Sequence, residues 1–247
     1  MKIMRNIKLL IEYDGTNYFG WQKQKIGTTV QGTIEKAIKK ATGEEVDLIG
    51  SSRTDSGVHA RGYVANFKTN STIPEKRFRD AINTKLPDDI VILESCEERE
   101  EFHARYDSKG KTYTYTILNS EIPTAIGKNY SYYVRGKFNI EAMKEACTYF
   151  IGTHDFKAFK SDGSSVKTTV RTISDLHIEI DGNYIKFCIT GNGFLYNMVR
   201  IIVGTLLQVG RGTKTPLDVK RTINDGDRKG AGMCVPALGL VLEEVFY

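Results

Sequence analysis

The amino-acid sequence predicts an α+β protein in which the order β-α-β-β-α-β occurs twice. Strand-like runs enclose helical stripes in residues 7–93, and a similar succession follows in residues 111–246. A chain of 247 residues is also long enough to bury one large core or two modest ones. Such halves are ferredoxin-like, each an antiparallel sheet covered by helices, and RNA-recognition modules share this arrangement. We therefore predict two α+β domains, at residues 1–104 and 105–247.

The elements of the first half follow from local patterns. Four strands are predicted from alternating or apolar runs, at residues 7–13, 46–50, 63–67 and 90–93. Thr28 and Gln31 have the spacing of a capping box before an apolar stripe that stops at Gly43, which predicts the first helix. Pro74 occupies a position typical of a first helical turn, ahead of a second and shorter apolar stripe.

The second half repeats the same order. Its strands are predicted at residues 111–118, 173–180, 184–189 and 240–246. The turn Asp181-Gly182-Asn183 joins the middle two strands into a hairpin. Asn139 is placed to cap a helix that Gly152 ends, and residues 195–210 carry apolar side chains at helical spacing. Thr215-Pro216 opens a final short helix.

The charge of the chain is mildly basic. Its 35 Lys and Arg residues exceed its 30 Asp and Glu residues, which gives a net charge of +5. Residues 102–137 alone hold six Lys or Arg residues, two acids and six tyrosines. Such a stretch suits phosphates and stacked bases, although β-strands with solvated lysines have the same composition. The composition therefore permits a nucleic-acid partner without requiring one.

The spacing of the cysteines and histidines argues against a metal or disulfide framework. The four cysteines form no C-x-x-C pair, and the four histidines never fall at metal-ligand spacing. The sequence shows no secretory signal and no apolar run of transmembrane length. We therefore expect a cytoplasmic protein without membrane association, whose active site uses no metal and no cofactor.

The strongest candidate for chemistry is the Arg-Thr-Asp loop, residues 51–58, which lies between two predicted strands. Asp55 stands between Arg53 and Arg61, and a nearby opposite charge favours the ionised form of an acid. Asp55 therefore suits a nucleophile or an electrostatic stabiliser. The alternative is a solvated hairpin loop whose aspartate accepts hydrogen bonds from turn amides.

Two further residues suit a nucleotide site. Tyr113 offers a flat face and a phenol, and Arg200 lies at the polar flank of its predicted helix. Each also has an ordinary interpretation, because tyrosines are common in strands and arginines are common on surfaces. Their presence together with Asp55 favours a site.

Ordered motifs along nearly the whole chain strengthen this interpretation. They are Tyr13-Asp14-Gly15-Thr16-x-Tyr18-x-Gly20-Trp21-Gln22-x-Gln24, Thr29-Val30-Gln31-Gly32, Arg53-Thr54-Asp55-x-Gly57-Val58-His59-Ala60, Phe102-His103-Ala104-Arg105, Lys111-x-Tyr113-x-Tyr115, His154-Asp155-Phe156, Phe194-Leu195-Tyr196-Asn197-Met198-Val199-Arg200 and Gly239-Leu240-x-Leu242-x-x-Val245. With these motifs, the chain resembles the bacterial tRNA pseudouridine synthase A (TruA) family. So many matches in one order are far more specific than any single motif.

The resemblance implies an activity, a fold and a set of partners. The activity is the isomerisation of uridine to pseudouridine in the anticodon stem-loop of tRNA, at positions 38 to 40. The fold is the pseudouridine synthase fold, with the active site in the cleft between the two halves. Family members are homodimers that need no cofactor, and the tRNA spans both subunits.

The resemblance also assigns roles to individual residues. Asp55 corresponds to the catalytic aspartate, Arg53 to its neighbour in base extrusion, Tyr113 to the base-stacking tyrosine and Arg200 to the partner of Asp55. We expect the RNA to contact residues in or beside the same motifs, namely His59, Arg61, Arg105, Lys111, Phe194 and Leu242.

One position departs from the family pattern. Ser52 precedes Arg53-Thr54-Asp55, where the family commonly has glycine. A serine takes this turn only if its φ angle is negative there or if some strain is accepted. The departure concerns the geometry of the loop, and with it the preferred target position, more than the chemistry.

An alternative from another class is a non-enzymatic RNA-binding protein built from two RRM-like halves. It predicts salt-sensitive RNA binding and no release of the C5 proton of uridine. A carboxylate between arginines counts against it, because that charge repels phosphate and does nothing for a protein that only binds.

Overall fold

Most of the predicted elements are present in a computed structural model, which describes residues 4–163 and 166–247. The α+β class is confirmed, with mostly antiparallel sheets and the two successions of strands and helices. The chain divides into two compact units, the first of Met1–Lys109 with Val241–Tyr247 and the second of Gly110–Leu240.

The first unit contains the predicted β-α-β-β-α-β order. Its elements are β1 (Arg5–Tyr13), α1 (Val30–Thr42), β2 (Ile49–Gly50), β3 (His59–Thr69), α2 (Arg77–Asn83) and β4 (Ile90–Glu98). Strand β1 lies between β4 and β3, antiparallel to both, and β2 extends the sheet beyond β3. Apolar side chains of β1 and β3, such as Leu9 and Phe67, are fully buried together with Ile34 of α1 and Phe78 of α2.

The start of α1 corrects the predicted capping box. The N-cap is Thr29, whose side chain accepts a hydrogen bond of 3.3 Å from the Gly32 N–H. Gln31 does not complete a box with Thr28, because its side-chain amide donates to the Leu48 carbonyl at 3.0 Å. The predicted end of this helix is confirmed, since Gly43 is its C-cap with φ of 78°.

Two other boundaries also differ from the prediction. Pro74 precedes α2 instead of occupying its first turn, and the Pro74 carbonyl accepts a hydrogen bond of 2.8 Å from the Arg77 N–H. Strand β2 is limited to two residues, Ile49 and Gly50, whereas β3 and β4 are longer than predicted.

The second unit repeats the order up to its last helices, with two additional short strands and without the final strand. Its elements are β5 (Gly110–Leu118), β6 (Tyr132–Tyr133), α3 (Ile140–Thr148), β7 (Gly152–Asp155), β8 (Val170–Asp181), β9 (Tyr184–Gly191), α4 (Met198–Gly210) and α5 (Pro216–Asp225). The sheet order is β5-β9-β8-β7, with β6 beside β5. Asn139 caps α3 and Thr215 forms a capping box with Asp218, as predicted for these helix starts. Gly152 begins β7, whereas α3 already ends at Thr148.

The last strand, β10 (Leu240–Phe246), belongs mainly to the first unit. It pairs with β3 in parallel, with Val241 opposite His59 and Leu242 opposite Ala60. Leu242 is fully buried there. The compact units thus differ from the predicted ranges 1–104 and 105–247, because pairing with β3 brings residues 241–247 back to the first unit.

In the part of the chain that the structure describes, no helix has both the length and the apolar character needed to cross a bilayer.

Candidate active site

The Arg-Thr-Asp loop connects β2 to β3, and Thr54 anchors it. The Oγ1 atom of Thr54 lies 2.7 Å from the Tyr13 hydroxyl, and the Thr54 carbonyl accepts a hydrogen bond of 3.1 Å from the Trp21 N–H. Thr54 is consequently buried, while Arg53 is exposed and Asp55 is half-buried. These contacts fix the backbone at Thr54, and they thereby also position Arg53 and Asp55, the two predicted site residues on either side of it.

Backbone contacts hold the loop from a second side. Gly20 has φ of +83°, and a Cβ atom on this residue would lie 2.6 Å from the Thr54 carbonyl oxygen. Only glycine fits such a close approach in a left-handed conformation. The Ser56 hydroxyl donates to the Tyr18 carbonyl at 3.0 Å. Residues 18–21 therefore support the loop along most of its length.

Ser52 takes its place in the loop without a left-handed backbone. Among the described residues, Asn197 is the one non-glycine with positive φ. The φ angle of Ser52 is therefore negative, and a serine takes this turn without left-handed strain. The Tyr63 hydroxyl donates to the Ser52 carbonyl and accepts a hydrogen bond of 3.3 Å from the Ser52 N–H. The Ser52 hydroxyl itself is buried and has no hydrogen-bond partner among the described residues.

This geometry makes a prediction for Ser52→Gly. The Tyr63 contacts involve only the Ser52 backbone, so we expect the variant to turn over tRNA within about twofold of the wild type. Stability should change by less than about 1 kcal/mol, because losing a desolvated hydroxyl opposes the added backbone entropy of glycine. Single-turnover kinetics and urea denaturation measure the two effects. A loss of turnover of tenfold or more would show that the serine side chain itself shapes the loop.

His59 follows the loop at the start of β3 and is only 4% exposed. Its Nδ1 atom lies 3.1 Å from the Gly15 amide nitrogen and 3.0 Å from Asp14 Oδ1. Tyr18, which lies close to Asp14 and Gly15 in the chain, donates from its hydroxyl to Asp89 Oδ1 at 2.6 Å. Burial is the larger cause and this hydrogen bond the second cause of a raised pKa of Tyr18, so its phenol stays neutral. His59 thus belongs to the buried support of the loop, and its direct contact with RNA stays a prediction.

The other predicted cations of the first unit are exposed. The Arg61 guanidinium lies 3.0 Å from Glu243 Oε1, so a strand residue of β10 balances its charge. Arg105 lies over the ring of Tyr106 at 6.0 Å, and that ring stacks on His103 with 4.1 Å between centroids. Exposed rings beside a guanidinium are a surface on which a nucleobase can stack.

In the second unit, Lys111 and Tyr113 lie near the start of β5, and both are buried. Tyr113 is opposite Ile189 in the sheet. The ring of Phe194 meets the Tyr113 ring edge-on, with 5.3 Å between centroids and 88° between planes. Phe194 therefore fixes the orientation of the tyrosine predicted to stack on the base.

Arg200 lies in the first turn of α4, where two hydrogen bonds hold its guanidinium. Nε donates to the Val235 carbonyl at 2.7 Å, and Nη1 donates to Asn197 Oδ1 at 2.7 Å. Asn197 is itself held by a hydrogen bond of 3.0 Å to the Ser161 hydroxyl. These bonds use two of the five guanidinium donors and fix the plane of the group.

The predicted site residues are thus divided between the two units. The first unit holds Arg53, Asp55, His59, Arg61, Arg105 and Leu242, and the second holds Lys111, Tyr113, Phe194 and Arg200. The association of Asp55 with Tyr113 and Arg200 in one site stays a prediction.

A sequence profile described as tRNA pseudouridine synthase matches residues 9–107 and 146–247. The chain belongs to the tRNA pseudouridine synthase family. The tRNA pseudouridine synthase A 2 of Clostridium perfringens (strain 13 / Type A) is 64% identical over 244 residues, covering 99% of this chain and 100% of the relative. The tRNA pseudouridine synthase A of Acetivibrio thermocellus is 59% identical over the same length, with the same coverage. As a member of this family, the chain is an isomerase that acts on tRNA.

Similarity to solved structures is weak. A crystal structure of the archaeal box H/ACA sRNP Nop10–Cbf5 complex aligns with 90% of this chain and 59% of that chain, at 13% identity and a TM-score of 0.37. The family assignment of this tRNA pseudouridine synthase rests on sequence alone.

Patterns in the sequence of this tRNA pseudouridine synthase did not predict the residues that support the site. Tyr13, Gly20 and Trp21 hold the Arg-Thr-Asp loop, and Asn197 holds Arg200. All four lie within the motifs of the resemblance. The position of Asn197 just before an apolar helical stripe could have indicated its role, since asparagine is enriched at positive φ and at N-caps.

Tyr13→Phe tests the anchor of the loop in this tRNA pseudouridine synthase. The variant removes the hydrogen bond to buried Thr54 and should lower the free energy of unfolding by about 1–2 kcal/mol. Turnover should also fall roughly tenfold, because a loosened loop misplaces Asp55. The matched control is Tyr247→Phe, which removes a hydrogen bond of 2.6 Å to the Ala104 carbonyl in the same unit. We expect the control to lose stability but keep turnover, and equal turnover in both variants would contradict the anchor.

Proposed function

We propose that this enzyme isomerises uridine in the anticodon stem-loop of tRNA, at positions 38 to 40, and that Asp55 is its catalytic residue. The observation that carries the proposal is the Asp55 environment. A half-buried carboxylate follows a buried threonine that Tyr13 and Trp21 anchor. A carboxylate that reacts with a nucleotide needs such a fixed backbone and partial access to the substrate.

The reaction breaks the C1′–N1 glycosidic bond of uridine and forms a C1′–C5 bond. The C5 proton passes to a base, and N1 gains a proton, so the product has the composition of the substrate. Ionised Asp55 has three routes into this sequence: it attacks C1′, attacks C6, or removes a ribose proton to give a glycal-like intermediate. Each route begins with a carboxylate and not with a carboxylic acid.

Three other residues are proposed to assist. Exposed Arg53 occupies the space that the uridine leaves on flipping out of the stem, a step that costs a few kcal/mol. Tyr113, oriented by Phe194, holds the uracil, and its phenolate, formed by prior loss of the phenol proton to solvent, is one candidate acceptor for the C5 proton. Arg200, with its guanidinium plane fixed, supplies the positive charge that keeps Asp55 ionised.

The RNA contacts belong to the same proposal. Exposed Arg61 and Arg105 contact the tRNA, and Lys111 and Phe194 act beside Tyr113. We propose a cytoplasmic homodimer in which one tRNA spans both subunits. Light scattering of the purified protein with and without tRNA tests the stoichiometry.

Pseudouridine mapping of tRNA tests the target. A strain that lacks the gene should lose pseudouridine at positions 38 to 40, and the wild-type gene should restore it while Asp55→Asn does not. Retention of these pseudouridines in the deletion strain would overturn the proposed target. Loss at other positions only would assign a different uridine to the same enzyme.

A further inference from the structure

A polar cluster on the β8–β9 hairpin has no part in the proposed reaction. A bulge lies between Ile173 and Asp175 of β8, where the register shifts by one residue. Beyond it, Leu176 and Ile178 are buried, whereas Asp175, His177 and Glu179 are exposed. The bulge therefore turns three polar side chains of one strand onto the same face of the sheet.

Cys188 of β9 completes the cluster. It is directly opposite His177 in the register, and its thiol is not part of a disulfide. Ligand atoms of His177, Glu179 and Cys188 all lie within 4.8 Å of one another. Zinc bonds of about 2.0–2.3 Å place tetrahedral ligand atoms roughly 3.3–3.8 Å apart, so small rotations of these partly exposed side chains bring the imidazole nitrogen, carboxylate oxygen and thiolate onto one ion.

Asp175 orients the histidine for this purpose. Its Oδ2 atom lies 2.7 Å from His177 Nδ1, while His177 Nε2 lies 3.4 Å from Glu179 Oε1. Histidine ligands of metals commonly donate their other ring N–H to a carboxylate, which fixes the ring and its tautomer. Both ring nitrogens face carboxylates, and when a metal binds, the Nε2 proton is displaced while Nδ1 continues to donate to Asp175.

The charges around the cluster also favour a cation. Asp175 and Glu179 contribute two carboxylates, and Lys186, which is opposite Glu179 in the register, is paired with a third carboxylate, Asp181, at 3.3 Å. Nitrogen, oxygen and sulfur donors together are typical of zinc, whereas magnesium and calcium prefer oxygen alone.

We propose that His177 Nε2, Glu179 and Cys188 bind one Zn²⁺ ion on the second unit, with Asp175 as the residue that positions His177. Water completes a tetrahedral shell at the fourth position. Binding displaces the proton of the Cys188 thiol to solvent, because the thiolate is the ligand. The ion crosslinks β8 to β9, on the face of the sheet opposite to Tyr113.

Metal titration of the untagged, full-length protein after chelator treatment tests this site. Isothermal titration with Zn²⁺ should show one equivalent bound, and Co²⁺ should give the charge-transfer absorption of a cobalt–thiolate bond. His177→Ala and Cys188→Ser should abolish stoichiometric binding. Asp175→Asn should weaken binding by about 10–100-fold while retaining the thiolate band.

Cys96→Ser is the matched control, since Cys96 is likewise half-buried but lies on β4 of the first unit. It should bind Zn²⁺ as the wild type does. The proposal is overturned if the wild type binds less than half an equivalent, or if Co²⁺ gives no thiolate band. Binding that survives both His177→Ala and Cys188→Ser would also overturn it. None of these outcomes depends on pseudouridine formation, so the site is tested separately from the proposed reaction.

Discussion

Asp55→Asn should reduce pseudouridine formation by on the order of 10⁴-fold or more, as expected when the proposed catalytic carboxylate is removed. Asparagine has nearly the same shape as aspartate but lacks the ionised oxygen that each proposed route requires. The anchors at Thr54, the Ser56 hydroxyl and the backbone are unchanged in this variant, so we expect the loop to keep its structure. Release of tritium from C5-labelled uridine in tRNA measures the loss.

The control for this variant is Asp47→Asn, which changes an exposed aspartate upstream of the loop. It should turn over tRNA as the wild type does, and both variants should bind tRNA with similar affinity. Turnover by Asp55→Asn within tenfold of the wild type would remove Asp55 from the chemistry. Loss of tRNA binding together with turnover would indicate a binding role instead.

Arg200→Lys should lower turnover roughly 100-fold while leaving tRNA affinity nearly unchanged. A lysine has one nitrogen at the end of its chain and cannot reach both the Val235 carbonyl and Asn197 Oδ1 as the guanidinium does. Losing one charge-assisted hydrogen bond costs about 1.5–3 kcal/mol, and 1.4 kcal/mol corresponds to a factor of ten. Single-turnover kinetics with saturating enzyme isolate this effect from binding.

Arg211→Lys is the matched control, because Arg211 is exposed at the end of the same helix and contacts the Phe138 ring through its charge. Lysine also makes that kind of contact, so turnover should stay within about twofold of the wild type. If Arg200→Lys instead lowers stability and turnover no further than this control does, Arg200 has no special role.

Local patterns predicted the long elements because their signals lie within the elements themselves. The alternation of β1 and the apolar stripe of α4 needed no distant information. The start of α1 was misplaced by one residue because two adjacent threonines offer the same cap. Gln31 decides between them, because its side-chain amide donates a hydrogen bond to the Leu48 carbonyl, seventeen residues away, and so does not form a capping box with Thr28. The short strands β6 and β7 carry too few residues for a pattern and exist through pairing with neighbours.

The candidate site shows the same division between local and distant information. Residue types and order single out Asp55 and its neighbours as candidates, and their catalytic role stays a prediction. The Tyr13–Thr54 anchor joins residues 41 positions apart, and the Arg61–Glu243 pair joins residues 182 positions apart. The sequence placed Arg61 beside Asp55 as a source of positive charge, yet its charge is balanced by a strand that no local pattern associates with the loop.

The return of β10 to the first unit has a consequence for synthesis on the ribosome. Residues 70–239 are translated between the end of β3 and the start of its parallel partner, which takes roughly 9–34 s at about 5–20 residues per second. Throughout that interval, His59 and Ala60 at the start of β3 lack their partners Val241 and Leu242, and Arg61 lacks Glu243. The unit that carries Asp55 begins first and is completed last, so the nascent chain holds the Arg-Thr-Asp loop in an unfinished sheet until its final strand emerges.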